Sequence, residues 1–201
     1  MTCKTYIFPR LFSGLTLLTV LCSLSVRAQL ADSMIIDVAK IRFSDAINHQ
    51  SWFVSTDKRM VTVEKIPQLN FRNDKIVRYK DGFPDSLIEN DNFLKFVLYN
   101  SSDSVKEVCL SPCIYFREID LYKASDDGPT ATLTAVPDSI AKNIPYDGVR
   151  LIRMQPKEQA VFYCRFNFVR ANVNTLSPRL VEKDYLLQWV ATIRDKDATL
   201  D

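Results

Sequence analysis

Two cysteines four positions apart, Cys109 and Cys113 in VCLSPC, offer the clearest potential for covalent chemistry in this chain. They admit a redox pair, half of a metal site, a disulfide across a bend, or two strand residues flanking Pro112. The spacing is not the two-residue spacing of thioredoxin-type motifs, and no histidine or further cysteine pair completes a zinc site. A strand end followed by a bend is the leading reading, with a Cys109–Cys113 bridge as the alternative. His49 is the only histidine. It leaves no histidine pair to hold a metal, and a histidine-dependent hydrolase would have to use this one residue. Carboxylates gather in DGFPDSLIENDN (81–92), at Asp81, Asp85, Glu89 and Asp91. A glycosidase needs two of them facing across a cleft at about 5–10 Å. Pro84 and the spacing fit no calcium loop, so a solvated turn is expected here.

Aromatic rings are the stronger binding elements. Flat rings and forked donors on a sheet face hold sugars by stacking and hydrogen bonding. Tyr163 and Arg165, spaced i and i+2 in one strand-like run, project to the same side. Tyr122, Tyr115, Arg117 and Trp52 are further candidates for ligand binding, each weighed against a plain core role for an aromatic in a sandwich. No catalytic residue, metal ligand or cofactor site is assigned.

The elements that must position these groups are strands. Strand-like runs are VTVEKI (61–66), FLKFVLYN (93–100), SVKEVCL (104–110), REIDLYKA (117–124), TATLTAV (130–136), VRLIRM (149–154) and QAVFYCRFNFV (159–169). Short polar or proline-bearing turns separate them: NSSDS, SDDGP, PYDG and QPKE. This spacing predicts an all-β fold, an antiparallel sandwich. In the last run Phe162, Cys164, Phe166 and Phe168 share one face and should point to the core, with Tyr163 and Arg165 opposite. In SVKEVCL the pair Val108 and Leu110 points inward and Cys109 outward. PDSIAKN (137–143) fits one helical turn. AKIRFSDAINHQSW (39–52) fits a strand and turn or a short helix. The tail VEKDYLLQWVATIRDKD (181–197) sets Val181, Tyr185, Trp189 and Ile193 at roughly helical spacing, though DYLLQWV also fits a closing strand. Only Gly82, Gly128 and Gly148 occur after residue 28, too few for a glycine-rich phosphate cradle.

Residues 1–28 read as an export signal: Lys4 and Arg10, then the apolar run 11–26, then Val-Arg-Ala ahead of cleavage before Gln29. A span usually needs about twenty apolar residues, and this run is shorter and broken by Ser, Thr and Gly. Cleavage removes Lys4, Arg10 and Arg27 and no acidic residue, taking the formal charge from +2 to −1. A near-neutral product argues against nucleic acid or an anionic membrane as main partner. Cys109, Cys113 and Cys164 are the cysteines left, too few for a stapled scaffold, so an apolar core must carry stability. The expected organisation is a signal peptide (1–28), a lead-in segment (29–60), one domain (61–190) and a tail (191–201).

Three stretches together resemble a family: FLKFVLYNSSDSVKEVCL, an aromatic strand ending in Asn before a polar turn and a Leu-bearing strand; SPCIYFREIDLYK, a proline, loop and strand with Tyr; and RMQPKEQAVFYCRFNF, a proline turn before a strand with Tyr-x-Arg. The family is the extracytoplasmic (DISM-type) sensor domain found ahead of seven-transmembrane regions in bacterial signalling proteins, including many histidine kinases. The similarity spans about residues 61–187. It implies a jelly-roll sandwich like a carbohydrate-binding module, sensing a small-molecule ligand, a carbohydrate among the options, outside the cytoplasmic membrane. In that family the position of Arg165 also serves packing or an ion pair. The resemblance places Cys109 at a strand end and Cys113 in the following loop. Phe93 and Lys95 stand where the family carries Trp and Arg, and Lys157 where its Pro-Gly-Glu turn carries Gly. The seven-helix region is not within this sequence, which leaves a stand-alone module, a truncated product or a partner of a separate receptor as alternatives.

The leading expectation is therefore a non-catalytic, periplasmic ligand-sensing module feeding a membrane signalling protein. An envelope protein–protein interaction module without a small ligand is second, and a glycan hydrolase last. A sensor calls for exposed rings beside Arg or Asn, an interaction module for a broad apolar patch, and an enzyme for facing carboxylates with one pKa raised.

Overall fold

The computed structural model describes residues 34–57, 61–73, 88–111, 116–137, 149–168 and 177–197. All belong to the compact unit Ser33–Asp201. Among the described residues ten strands form two sheets: β1 (Ile35–Asp37), β2 (Ser44–Ala46), β3 (Ser51–Thr56), β4 (Asp91–Tyr99), β5 (Lys106–Ser111), β6 (Phe116–Ala124), β7 (Leu133–Ala135), β8 (Arg150–Met154), β9 (Gln159–Phe168) and β10 (Arg179–Glu182). The larger sheet runs β1-β4-β9-β6-β7, and β3 also pairs with β4. Since β9 lies along β4 from Asn92 to Tyr99, β1 and β3 share the other edge end to end, β1 parallel at Ile35↔Val97 and β3 antiparallel at Ser51↔Phe96. The smaller sheet runs β2-β10-β5-β8 and is antiparallel throughout.

Strand alternation explains why the two sheets close on each other. Leu94, Phe96 and Leu98 of β4, Phe162, Cys164 and Phe166 of β9, and Ile119 and Leu121 of β6 meet Val108, Leu110, Ile152, Met154 and Leu180 of the smaller sheet in one core. Phe96 and Phe162 stack at 5.6 Å between ring centroids. Burying each such side chain contributes about 1.5–3 kcal/mol. The face assignments read from the sequence hold for Phe162, Cys164, Phe166, Val108 and Leu110. Cys109 does point outward from the smaller sheet, into a second cluster with Val149, Val181, Leu186 and Val190. A C-terminal helix α1 (Leu186–Asp197) covers that face.

Asn100 directly follows β4 and is fully buried. Its Nδ2 donates to the carbonyls of Ser104 (2.7 Å), Gln155 (3.0 Å) and Met154 (3.3 Å), and its Oδ1 accepts from the Ser102 amide and hydroxyl. The turn after β4 is thereby tied to the turn between β8 and β9. In that second turn Lys157 has φ 59°, a left-handed conformation that favours glycine. It is the position where the resembled family carries Gly. Lys157 Nζ donates to Ser101 O at 2.6 Å and pairs with Asp103 at 3.0 Å, which offsets part of the strain.

Three expectations need correction. VTVEKI is not a strand: residues Val63–Gln68 form a 3-10 helix. Neither parity of that run is apolar, since Lys65 joins Val61 and Val63 while Ile66 joins Thr62 and Glu64, and Pro67 removes a ladder donor. Ile66 alone is buried fully. Residues 34–57 of the expected lead-in segment 29–60 are not apart from the domain, because β1 and β3 belong to the larger sheet and β2 to the smaller. In the tail DYLLQWV is not a closing strand: Asp184 and Tyr185 lie in a 3-10 turn and the helix begins at Leu186, while β10 lies upstream at Arg179–Glu182, inside the smaller sheet. The helix buries Leu186 and Val190, whereas Tyr185 is 42% exposed. No helix among the described residues is long and apolar enough to cross a membrane. The signal segment 1–28 lies outside the described residues, as does PDSIAKN beyond Pro137.

Candidate functional site

Antiparallel register brings three of the six candidate residues into one row on the outer face of the larger sheet. Trp52 of β3 lies opposite Lys95 of β4, Lys95 opposite Tyr163 of β9, and Tyr163 opposite Tyr122 of β6. Directly opposite side chains are within contact reach, so the row is one surface. Lys95 Nζ sits 5.7 Å from the Trp52 ring centroid and 5.8 Å from that of Tyr163, a double cation–π contact. Its charge is also met by Asp127 Oδ1 at 2.5 Å, from the turn between β6 and β7.

The row is partly covered by the chain itself. Phe53 and Arg72 exchange backbone hydrogen bonds at 2.8 and 3.0 Å on the edge of β3 away from β4. That anchor lets Phe71 reach the Tyr163 ring at 5.4 Å. Tyr163 is 1% exposed in consequence, while Trp52 and Tyr122 stay half-buried. Burial, followed by Asp127 and Asp126, pushes the Tyr163 hydroxyl well above its ordinary pKa. Burial and then Asp120 raise that of Tyr122, against the opposing pull of Arg165. Both phenols therefore remain protonated donors at neutral pH.

Arg165 occupies the neighbouring row, between Phe93 and Asp120 in register. Its guanidinium donates to Asp91 Oδ2 at 2.7 Å, and Asp91 is 1% exposed. With its amide nitrogen turned towards the carboxylate, Asn167 donates to Asp91 Oδ1 at 3.1 Å. Removing a charge from water this completely is tolerable only with such partners. Arg165 thus holds a buried carboxylate in place, the ion-pair role expected from the resemblance as an alternative to ligand contact.

The remaining candidates separate. Tyr115 lies outside the described residues, as do Cys113, Asp81 and Asp85. Arg117 falls at the irregularity in the β6–β9 register between Phe116 and Glu118, a bulge that breaks the alternation. His49 sits exposed in a 3-10 turn, Asn48–Gln50. Cys109 and Cys164 are free buried thiols, and burial pushes both to about 12, which leaves them inert as nucleophiles. The Cys109–Cys113 bridge weighed from the sequence involves Cys113 and so lies outside the described residues.

Acid chemistry finds little support among the described carboxylates. Burial pushes Asp37 up, but hydrogen bonds from Ser101, Ala39 and Lys40 outweigh it and hold the group below its usual pKa. Burial likewise opposes, and Lys123 and the Gln155 amide overcome, in Glu158, which also titrates low. A general acid needs the opposite displacement. No group of three or more His, Cys, Asp or Glu among the described residues is placed to hold a metal.

Sequence reasoning missed Lys95, Asp127 and Phe71 as members of this surface. Both parities of β4 are buried, so alternation gave no signal for the first. Nothing local in SDDGP or around Phe71 indicated the others, which arrive through tertiary folding. Comparison with protein-family models and with curated proteins returns no match, so the reading of this surface rests on its own geometry.

Proposed function

We propose that the protein is a non-catalytic extracytoplasmic ligand-sensing module, a jelly-roll sandwich of carbohydrate-binding-module type that feeds a membrane signalling protein. The observation that carries the reading is the row Trp52–Lys95–Tyr163–Tyr122 on the outer face of the larger sheet. Two half-buried rings flank a lysine and a buried phenol that fix their orientation, a rigid platform against which a sugar ring stacks. Trp52 and Tyr122 make the ligand contacts, with Tyr163 and Arg165 as their support. The export-signal pattern of residues 1–28 and the resemblance of 61–187 to extracytoplasmic sensor domains support the proposed compartment and signalling partner.

Thermal-shift measurement of the 29–201 product against a panel of mono- and oligosaccharides tests this. A ligand present at ten times its Kd adds about 1.4 kcal/mol, a rise of roughly 4 °C in the midpoint. The rise should vanish in Trp52→Ala. If no sugar raises the midpoint at roughly millimolar concentration, carbohydrate sensing is to be abandoned.

A further inference from the structure

The row on the outer face of the larger sheet has two halves that differ by one cation. In the first, rings and a carboxylate hold an ammonium: Lys95 Nζ lies 5.7 Å from the Trp52 centroid and 5.8 Å from that of Tyr163, and binds Asp127 at 2.5 Å. The second half repeats the ring and the carboxylate without the ammonium. Tyr122 is half-buried, and β6 sets the exposed Asp120 on the same face two residues before it. At a rise of about 3.3 Å per residue the two side chains leave the sheet about 7 Å apart. Asp126, also exposed, lies in the turn that follows β6. Burial raises the pKa of the Tyr122 hydroxyl and Asp120 adds to it, while at Tyr163 burial is followed by Asp127 and Asp126. Both carboxylates therefore act on rings of the row.

Neither Asp120 nor Asp126 forms an ion pair with a described residue. Asp120 lies opposite Arg165 in register, but that guanidinium pairs with the buried Asp91. Asp126 accepts from the Ser125 hydroxyl at 3.2 Å, and the turn 125–132 holds no lysine or arginine. With Lys95 bound to Asp127 and Arg165 to Asp91, the charge left over around the row is that of Asp120 and Asp126. Resting on the platform reading above, we propose that the ligand is an amino sugar, whose protonated amine takes beside Tyr122 the place that Lys95 takes beside Tyr163. A ring face attracts a cation through its quadrupole, and an unmatched carboxylate adds Coulombic attraction. A neutral sugar keeps the stacking and lacks the charge contribution. An acidic sugar meets repulsion, because both described cations of this surface already hold carboxylates.

The test is isothermal titration calorimetry of the 29–201 product at about pH 6, where carboxylates are ionised and amines protonated. The probes are a β-linked glucosamine trimer, its N-acetylated counterpart, which has lost the charges, and spermidine. The glucosamine trimer should bind at least about tenfold tighter than the acetylated one, about 1.4 kcal/mol. Asp120→Asn combined with Asp126→Asn should bring the two trimers to within about twofold. Both positions are exposed, so this variant should keep its fold. Raising the ionic strength from about 0.05 to 0.5 M should weaken the glucosamine trimer alone. Equal affinity for the two trimers overturns the proposal and leaves the platform standing. Binding of neither trimer overturns it as well, and the saccharide panel above then decides separately whether the platform stands. An advantage that survives the double variant overturns it too. So does spermidine binding as tightly as the trimer, which would show that no sugar ring is needed.

Discussion

The outer face of the larger sheet and the terminal strand β8 of the smaller one use charge in opposite ways. On the face, Lys95 is held by Trp52, Tyr163 and Asp127, and Arg165 by the buried Asp91. At the edge, Arg153 stands exposed over an apolar groove. A cation that closes a network within the fold is a poor reporter of ligand chemistry, whereas one left in solvent has no such structural task. Residue type alone, an arginine on a strand, does not distinguish the two.

The sharpest way to break this contrast is at Tyr163. If the face is built as part of the fold, Tyr163→Ala should destabilise the protein by about 4 kcal/mol, a loss of the size seen for buried aromatics. Urea denaturation measures it, and a change below about 1 kcal/mol would mean that the face is open. Next in size is the arginine pair. Arg165→Ala leaves the Asp91 carboxylate buried without its ion partner and should cost about 3 kcal/mol. Arg153→Ala, in contrast, should stay within about 0.5 kcal/mol, as for exposed residues generally. Equal effects at the two arginines would remove the distinction.

The smallest effect concerns Glu158, whose carboxylate binds Lys123 at the rim of the groove and the Gln155 amide at 2.6 Å. Its folded pKa lies below the ordinary 4.5, so its contribution is fully present above that value. It is lost as pH falls through the lowered folded pKa. Thermal midpoints recorded on acidification should decline less steeply in Glu158→Gln than in the unaltered protein. Parallel curves would show that this pair does not support the rim.

Much of the sandwich was legible because its strands have two unlike faces. Phe162, Cys164 and Phe166 announced the core side of β9, and Val108 with Leu110 that of β5. Legibility failed where burial is two-sided or the element is short. In β4 both parities are buried, since Phe93 and Val97 are as inaccessible as Leu94 and Phe96, so alternation marks no solvent side. β1 and β2 have three residues each, too few for any period to emerge. In the candidate site Tyr122 and Tyr163 were legible as strand positions, whereas Trp52 was legible only as a residue, its segment fitting a strand and turn or a short helix. Its cover was not, because Phe71 comes from a segment whose own residues carry no strand pattern. Arg165 was named correctly as a neighbour of Tyr163, but the depth of Asp91, a residue of a loop expected to be solvated, decides what it does.

The position of β10 bears on how the chain assembles. This strand lies between β2 and β5, pairing with Ser44–Ala46 on one side and Val108–Ser111 on the other. The middle of the smaller sheet is thus the last strand to be made. Until residues 179–182 are available, β2 has no neighbour in its sheet and only β5 and β8 can pair. Contacts so distant in sequence must close long loops before they return any stability, which places folding in the slow regime of non-local β proteins, about milliseconds to seconds. A chain interrupted before Arg179 would leave β2 unpaired and the β10-facing edge of β5 open, and its first failure would be aggregation through them.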